Sequence, residues 1–310
     1  MTSNEKPTGR TPDVVVGVDG SPASVRALSY AVAEAARLGA DVHVVHAIQT
    51  YVSMAPMYPL PIEDLTSAGR TVLERTLDAV EVPTTVRLSS TLARNGAIPS
   101  LVDASREAAL IVLGADRRPA AVRLFTGNVA TGVAASSRAP VVAVPETWQP
   151  GEERGVVLVG VKSPEHCDEL LGEAFAVARA RGARLVVMHA WQLPGGYDDM
   201  IARHATEDWD SRARAELEKA VAPWRGTCPE VEVELRTLHD QPAHAIVEAS
   251  TEADEVVLVR RARGVPAALH LGPTARAVLA HAHCPVRIVP PNRRPADLDV
   301  ELEGEGALMR

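Results

Sequence analysis

Cysteine and aromatic residues are scarce in this chain of 310 residues, which has 3 Cys and only 3% Phe, Trp and Tyr. Cys167, Cys228 and Cys284 are an odd number and lack the paired spacing of a metal site or a disulfide framework. Such usage is typical of a reducing compartment. We interpret all three cysteines as small apolar side chains that fill the core.

The chain also lacks an excess of positive charge and any long apolar run. Its formal net charge is -8 at pH 7, so it has no basic field that would attract DNA or RNA. No segment approaches the roughly 20 apolar residues that span a bilayer. Residues 1–12 are polar and lack the apolar centre of a signal peptide. We therefore expect a cytoplasmic protein that binds neither nucleic acid nor membrane.

An internal duplication organises the chain, because two patterns recur about 145 residues further on. VVVGVD at residues 14–19 returns as VLVGVK at 157–162, and APVVAVP at 139–145 returns as CPVRIVP at 284–290. Each copy is long enough to bury its own core. The pattern predicts a disordered N-terminus, a first domain, a linker, a second domain and a disordered acidic tail, at residues 1–12, 13–146, 147–155, 156–291 and 292–310.

Within the first copy, short β-branched runs alternate with Ala-rich amphipathic stretches. The strands are predicted at residues 14–18, 42–47, 85–89, 110–113 and 141–144, and the helices at 22–38, 65–80, 98–108 and 127–137. The second copy repeats this order. Strands separated by helices predict an α/β fold with a parallel sheet that is covered by helices on both faces.

Ligands of such open sheets bind beyond the carboxyl ends of the strands, where the strand order reverses. If the order is 3-2-1-4-5, Asp19 after the first strand faces a loop that starts at Gly114 and reaches Gly127 at the start of a helix. Glycines and helix-start amides suit phosphate groups. Asp19 would repel phosphate and better suits the hydroxyl or amine groups of a nucleoside. An adenosine polyphosphate would meet both demands.

These motifs together resemble the universal stress protein family, in particular its tandem two-domain members common in actinobacteria. The resemblance rests on VGVDGSP at residues 16–22, VVHA at 44–47 and RAPVVAVP at 138–145, and it covers nearly the whole of both copies. It implies two tandem Rossmann-like domains of the HUP type (adenine nucleotide alpha hydrolase-like), each with a five-stranded parallel sheet of order 3-2-1-4-5. It also implies that the last strands, 141–144 and 286–289, pair as an intramolecular pseudo-dimer, with a further homodimer optional.

The family's nucleotide signature is Gly, two residues, Gly, nine residues, and then Gly-Ser or Gly-Thr. Here it falls on Gly114, Arg117, Gly127 and Asn128, which keeps the spacing but changes two identities. Arg117 fills a tight loop yet offers a guanidinium to phosphate, and Asn128 can still donate through its amide. Retained binding and a loop that has stopped binding both stay open. The predicted cofactor is ATP, in domain 1 only, and its predicted binding residues are Gly17, Val18, Asp19, Ala47, Leu113, Gly114, Arg117, Gly127, Asn128 and Val129.

The second copy departs further from the signature. Val259 and Ala262 stand at the two glycine positions, and Lys162 replaces the aspartate. Pro273 follows Gly272 and removes an amide that could bind phosphate. We expect no nucleotide in this copy. The basic loop that remains leaves another anionic ligand open, and its arginines are Arg260, Arg261 and Arg263.

Catalysis and metal binding find little support in the sequence. It contains no Gly-x-Ser-x-Gly elbow, no Walker-type Gly-Lys-Ser or Gly-Lys-Thr and no His-Glu-x-x-His. His46 and His189, at matching strand ends, are expected to be packed and hydrogen-bonded, and His281 and His283 have poor metal geometry on a predicted helix. We therefore expect a non-catalytic stress-response regulator that signals to an unknown protein partner. The alternatives are a ligand-free interaction module and, in third place, a slow nucleotide hydrolase.

Overall fold

The computed structural model describes residues 11–48, 62–115, 129–192, 206–261 and 271–291. In the first copy, strands and helices alternate as β1 (Val14–Val18), α1 (Pro22–Leu38), β2 (Val42–Ala47), α2 (Ile62–Asp78), β3 (Leu88–Ala93), α3 (Ala97–Ala104), β4 (Leu110–Gly114), α4 (Val129–Ser136) and β5 (Val141–Val144).

The second copy repeats this alternation, with one additional 3-10 turn. Its elements are β6 (Val156–Gly160), the 3-10 turn (Pro164–His166), α5 (Asp168–Arg181), β7 (Arg184–Trp191), α6 (Thr206–Thr227), β8 (Val233–His239), α7 (Pro242–Ala249), β9 (Glu255–Val259), α8 (Pro273–His281) and β10 (Val286–Val289). Among the helices in the described ranges, none has both the length and the apolar character needed to cross a bilayer.

Two compact units divide the described residues. The first unit runs through Glu152 and also includes Val259–Pro291, and the second runs from Glu153 to Leu258. The last strand of the second copy, β10, therefore belongs to the first unit. The predicted domain boundaries, 13–146 and 156–291, stay a prediction.

In the first unit, the strands of the first copy lie in the order β3-β2-β1-β4-β5 and are all parallel, which confirms the predicted order for this copy. At β5 the sheet continues with β10, which runs antiparallel. This confirms that the two closing strands pair with each other. The pairing covers apolar strand edges that would otherwise be open to association with other chains. The second unit contains the parallel strands β9-β6-β7-β8.

Helix α1 shows why the local sequence folds as it does. The Ser21 side chain accepts a hydrogen bond from the Ser24 amide at the helix start, Pro22 occupies the first turn, and Gly39 ends the helix at φ 61°. Three alanines, Ala27, Ala31 and Ala35, are fully buried. Small side chains on this face let α1 lie close to the sheet.

Helices cover both faces of the sheet in the first unit. Core residues of α1 and α2 pack with Val14, Val16 and Val18 on one face. On the other face, α3 approaches Gly17 through Leu101. Because side chains alternate along a strand, β1 contributes to both layers.

The third strand differs from the prediction at residues 85–89, since β3 spans Leu88–Ala93. The β-branched residues before it form a turn instead, in which the Val86 amide donates to the Pro83 carbonyl at 3.0 Å. Helix α3 also ends earlier than residue 108, because the Arg106 amide turns back to the Asp103 carbonyl. In both places a local turn takes the backbone hydrogen bonds that the predicted element would have used.

Candidate functional site

A pocket of about 130 Å³ lies at the carboxyl ends of β1 and β4, where the strand order of the first copy reverses. The first turns of α1, α3 and α4 meet there, together with the end of β2. The lining residues are Gly17, Val18, Asp19, Ser21, Ala23, Ser24, Val45, Ala47, Ala97, Leu101, Leu113, Gly114, Val129 and Ala130.

The pocket brings together most of the predicted site residues, namely Gly17, Val18, Asp19, Ala47, Leu113, Gly114 and Val129. Arg117, Gly127 and Asn128 lie outside the described residues. Their positions in the sequence, between Gly114 and Val129, join two segments of the pocket wall. Their role in binding remains a prediction.

Gly17 forms part of the pocket floor because leucine side chains occupy the space beside it. A Cβ on Gly17 would lie 2.6 Å from Leu113 Cδ2 and 3.0 Å from Leu101 Cδ1. Real side chains do not tolerate the first distance without movement of the leucine. The floor is therefore apolar and closely packed.

Gly114 is required by backbone packing, whether or not a ligand is present. A Cβ at this residue would lie 2.6 Å from the Ala23 carbonyl oxygen and 2.9 Å from the Ala23 Cβ. The end of β4 thus passes directly against the first turn of α1. This close approach gives the glycine a structural reason that the sequence signature does not reveal.

Asp19 is exposed and held in place at the start of α1. Its Oδ1 accepts hydrogen bonds from the Ser21 amide at 3.0 Å and the Ser21 hydroxyl at 2.5 Å. The Ser21 hydroxyl in turn accepts from the Ser24 amide at 3.2 Å, and Ser24 Oγ donates to the Ser21 carbonyl at 2.8 Å. The helix dipole favours a carboxylate near this end.

Sequence reasoning missed Ser21 and Ser24 as members of the site. The signal for Ser21 was present, because a serine before a proline is typical of a helix start. That pattern predicts a helix start, whereas the contact of Ser21 with Asp19 depends on the turn geometry between them. Ser24 carried no comparable signal.

His46 and His189 have the packed, hydrogen-bonded role that we expected. His46 Nδ1 lies 2.8 Å from the Val18 carbonyl oxygen, and His189 Nδ1 lies 2.9 Å from that of Val161. Because a carbonyl only accepts, each Nδ1 carries the proton. Both histidines tie the end of one strand to its neighbour.

The second copy preserves the floor of the site. A Cβ on Gly160 would lie 2.7 Å from Leu258 Cδ2 and 2.8 Å from Ile246 Cδ1. This arrangement matches that of Gly17 in the first copy. The packing below the strand ends is therefore common to both copies.

The loop that follows the first strand, here called the rim, differs in the second copy. Lys162 is exposed after β6, and Ser163 makes no side-chain capping bond. Cys167 occupies the position of Ser24, since both stand the same distance before the glycine that ends the helix. Burial, with smaller effects of Asp168 and Glu169, raises the pKa of the Cys167 thiol to about 12. It therefore remains a protonated, inert thiol at neutral pH.

Part of the basic loop in the second copy takes part in packing. Arg260 Nη1 donates to the Ala134 carbonyl at 3.4 Å, and the Arg260 amide donates to that of Val289 at 2.9 Å. Ala262 and Arg263 lie outside the described residues. The helix α8 ends at His281, so His283 lies beyond it, contrary to the prediction of one helix for both histidines.

The fold and the position of its pocket define an α/β protein of the Rossmann-like class. The family model for "Universal stress protein family" matches residues 12–145 and 153–290. Universal stress protein Rv2623 of Mycobacterium tuberculosis is 31% identical over 290 residues, covering 88% of this chain and 94% of the relative. Universal stress protein Rv2005c of the same organism is 29% identical over 291 residues, with coverages of 88% and 95%.

A solved structure supports the same assignment at the level of the fold. A universal stress protein from Archaeoglobus fulgidus matches with a TM-score of 0.65 at 20% identity, covering 93% of this chain and 98% of that protein. The chain belongs to the universal stress protein family, as a tandem member with two copies of the family's domain.

Proposed function

We propose that the protein is a non-catalytic, cytoplasmic stress-response regulator that binds one ATP in its first copy and passes the bound state to a partner protein. One observation carries the proposal. The pocket at the ends of β1 and β4 combines an anchored carboxylate, Asp19, with the start of a second helix at Val129. These two features suit the opposite ends of a nucleotide.

The apolar part of the pocket suits a flat base. Val45, Ala47, Ala97, Leu101 and Leu113 all line it, and four of them belong to β2 or to the closely packed floor. Small and branched apolar side chains leave a smooth surface on which a purine can lie. Ligand pockets are commonly of this kind, with a few polar groups that set orientation.

Asp19 sets the orientation of the ligand in this proposal. Its carboxylate accepts hydrogen bonds, so it suits a ribose hydroxyl or an amine and repels phosphate. The phosphates then point toward the start of α4, where the backbone amides of the first turn and the helix dipole favour negative charge. Arg117, Gly127 and Asn128 complete the phosphate site in the proposal.

The second copy is degenerate in this proposal, so the chain has one nucleotide site. Lys162 brings a positive charge where Asp19 brings a negative one. The helix start recedes from Pro22 in the first copy to Asp168 in the second, with a 3-10 turn before it. Among the described residues, Gly160 is packed by the apolar side chains of Leu258 and Ile246, which would not orient a nucleoside.

Calorimetric titration of the purified full chain tests the proposal. We expect one ATP per chain, and we expect Asp19→Ala to weaken binding by about 1–3 kcal/mol, the size of a lost charged hydrogen bond. Lys162→Ala is the matched control, because it changes the equivalent position of the second copy and should leave the affinity unchanged. Two equal sites, or equal effects of both variants, would contradict the assignment.

The role of Arg117 is tested by comparing two ligands. If its guanidinium binds phosphate, Arg117→Ala should weaken ATP more than adenosine, and the difference should decrease at high salt. If its side chain obstructs the loop, Arg117→Gly should strengthen both. Binding of neither ligand by any of the three proteins would favour the ligand-free interaction module.

The fate of the bound nucleotide separates the regulator from a slow hydrolase. Mass spectrometry of extensively washed protein should detect intact ATP, and prolonged incubation should release no phosphate above the level of the Asp19→Ala variant. Steady release of ADP and phosphate that depends on Asp19 would support the hydrolase instead.

A further inference from the structure

A buried ion pair lies at the junction of β5 and β10. Arg287 on β10 is only 4% exposed, and its Nη2 lies 3.0 Å from Glu34 Oε2 on α1. Both side chains are 5% exposed. Glu34 Oε1 also accepts from Arg37 Nη1 at 2.9 Å. Charges are costly to bury unless they are paired, so the position of each partner matters.

The position of Arg287 in the strand pair is special. Val142 and Arg287 are equivalent in the duplication, since each follows the Pro-Val of its copy's closing motif. They also lie directly opposite each other in the antiparallel register, with Val141 opposite Ile288 and Ala143 opposite Val286. The local two-fold axis of the pair therefore passes between Val142 and Arg287.

This symmetry determines what like strands would do if they paired between two chains. Two β10 strands in the same register would place Arg287 directly opposite the other chain's Arg287, and like charges in opposed positions are destabilising. Two β5 strands would place Val142 opposite Val142 and take the Arg287 guanidinium away from Glu34. Only the unlike pair satisfies the charges.

The second copy has an apolar residue at the position of Glu34. The equivalent residue is Val177, because Glu34 and Val177 stand the same distance before Gly39 and Gly182, the glycines that end α1 and α5. A pairing of two β10 strands would thus bring no carboxylate to this position. The two copies therefore differ by one charged residue each, which is Glu34 on α1 in the first copy and Arg287 on β10 in the second.

We propose that Glu34 and Arg287 select the partners of β5 and β10. The edge of β5 accepts β10, which carries Arg287, whereas two β5 strands or two β10 strands do not pair between chains. A symmetric apolar edge would bind either strand. The ion pair thus adds specificity through unfavourable alternatives as well as through attraction.

The test replaces the pair by the residues of the opposite copy, Glu34→Val with Arg287→Val, in the full chain. Buried ion pairs can often be replaced by apolar residues without loss of the fold. The protein is unfolded and refolded over a wide range of concentration, so that strands choose partners again, and its mass is measured by sedimentation. We expect the double variant to form more of a species of twice the chain's mass than wild type does, and we expect this excess to increase with concentration.

A second buried ion pair provides the control. Arg181 Nη2 and Glu255 Oε2 are 2.8 Å apart in the second unit, with side chains 6% and 0% exposed. Arg181→Val with Glu255→Val removes equal charge without changing β5 or β10. Glu34→Gln with Arg287→Met serves as a milder form of the test that keeps side-chain volume. The proposal is overturned if neither Glu34 and Arg287 variant gains the heavier species, or if the control gains it equally.

Discussion

In the first copy, β1 ends at Val18, Asp19 follows, and α1 begins at Pro22, whereas in the second copy β6 is followed by Lys162 and a 3-10 turn before α5 begins at Asp168. Below these different rims the floors match. The two copies therefore differ at the strand-to-helix loops and agree in the packing around Gly17 and Gly160. The same scaffold can thus carry different loops at the strand ends, which is why fold alone does not assign function.

The largest difference in stability between equivalent substitutions in the two copies is expected at Gly114. Gly114→Val would drive a side chain into the Ala23 backbone, and overpacking of this kind costs about 1–3 kcal/mol of the free energy of unfolding. The equivalent residue of the second copy is already a valine, Val259, which is 37% exposed. Denaturant unfolding measures the change.

The control for this prediction is Val259→Ala, which should change the free energy of unfolding by no more than about 0.5 kcal/mol, as exposed substitutions usually do. If Gly114→Val proved as harmless as this control, the close approach between β4 and α1 would not constrain the first copy.

A smaller effect is expected at the two serines that precede the helices. Ser21→Ala should cost about 1 kcal/mol of stability, because it removes a helix cap. It also removes the hydroxyl that donates to Asp19, so under the proposed function the affinity for ATP should decrease as well. Ser163→Ala removes no capping bond and should cost less than about 0.5 kcal/mol. Thermal unfolding measures the stability of both variants, and calorimetry measures their affinity for ATP. Equal losses of stability in the two variants would contradict the prediction that only Ser21 caps a helix.

The smallest effect is a pH dependence of stability that arises from His244 and Asp240 in the second copy. The hydrogen bond with Asp240 raises the pKa of His244 above its ordinary 6.5, and the same bond lowers the pKa of Asp240 below its ordinary 3.8. The stabilisation from His244 is complete below pH 6.5 and is lost as pH rises through the raised pKa. That from Asp240 is present above pH 3.8 and is lost as pH falls through the lowered pKa.

The first copy has Asn95 and Pro99 at these positions and so lacks both titrating groups. NMR titration of His244 measures the prediction directly, and Asp240→Asn should return its pKa toward 6.5. A pKa of His244 that does not respond to Asp240→Asn would remove the pair as a source of pH dependence.

The sequence predicted those elements whose ends carry strong local signals. Helix α1 has the predicted bounds because Ser21 and Gly39 determine its ends, and β5 has them because it lies between two prolines. The strand β3 was misplaced because Pro83 starts a turn within a β-branched run. The 3-10 turn lies where the second copy repeats the Ser-Pro pair that starts α1, and this local pattern does not distinguish a 3-10 turn from an α-helix.

The position of the candidate site could be predicted from the sequence, but the contacts between its residues could not. The reversal of strand order and the family resemblance placed Asp19, Gly114 and Val129 near one another. The contact of Gly114 with Ala23 and the pairing of Glu34 with Arg287 depend on how distant segments pack, and no local pattern encodes that packing.

Because β10 belongs to the first unit, that unit is completed late during protein synthesis. A nascent chain that has just emerged from the ribosome through β5 must wait for about 145 further residues, or roughly 7–30 s at ordinary elongation rates, before β10 can cover that strand. During this interval the edge of β5 is exposed to neighbouring nascent chains on the same messenger. Several ribosomes on one messenger thus carry chains with an uncovered β5 edge at the same time, before Arg287 has been synthesised.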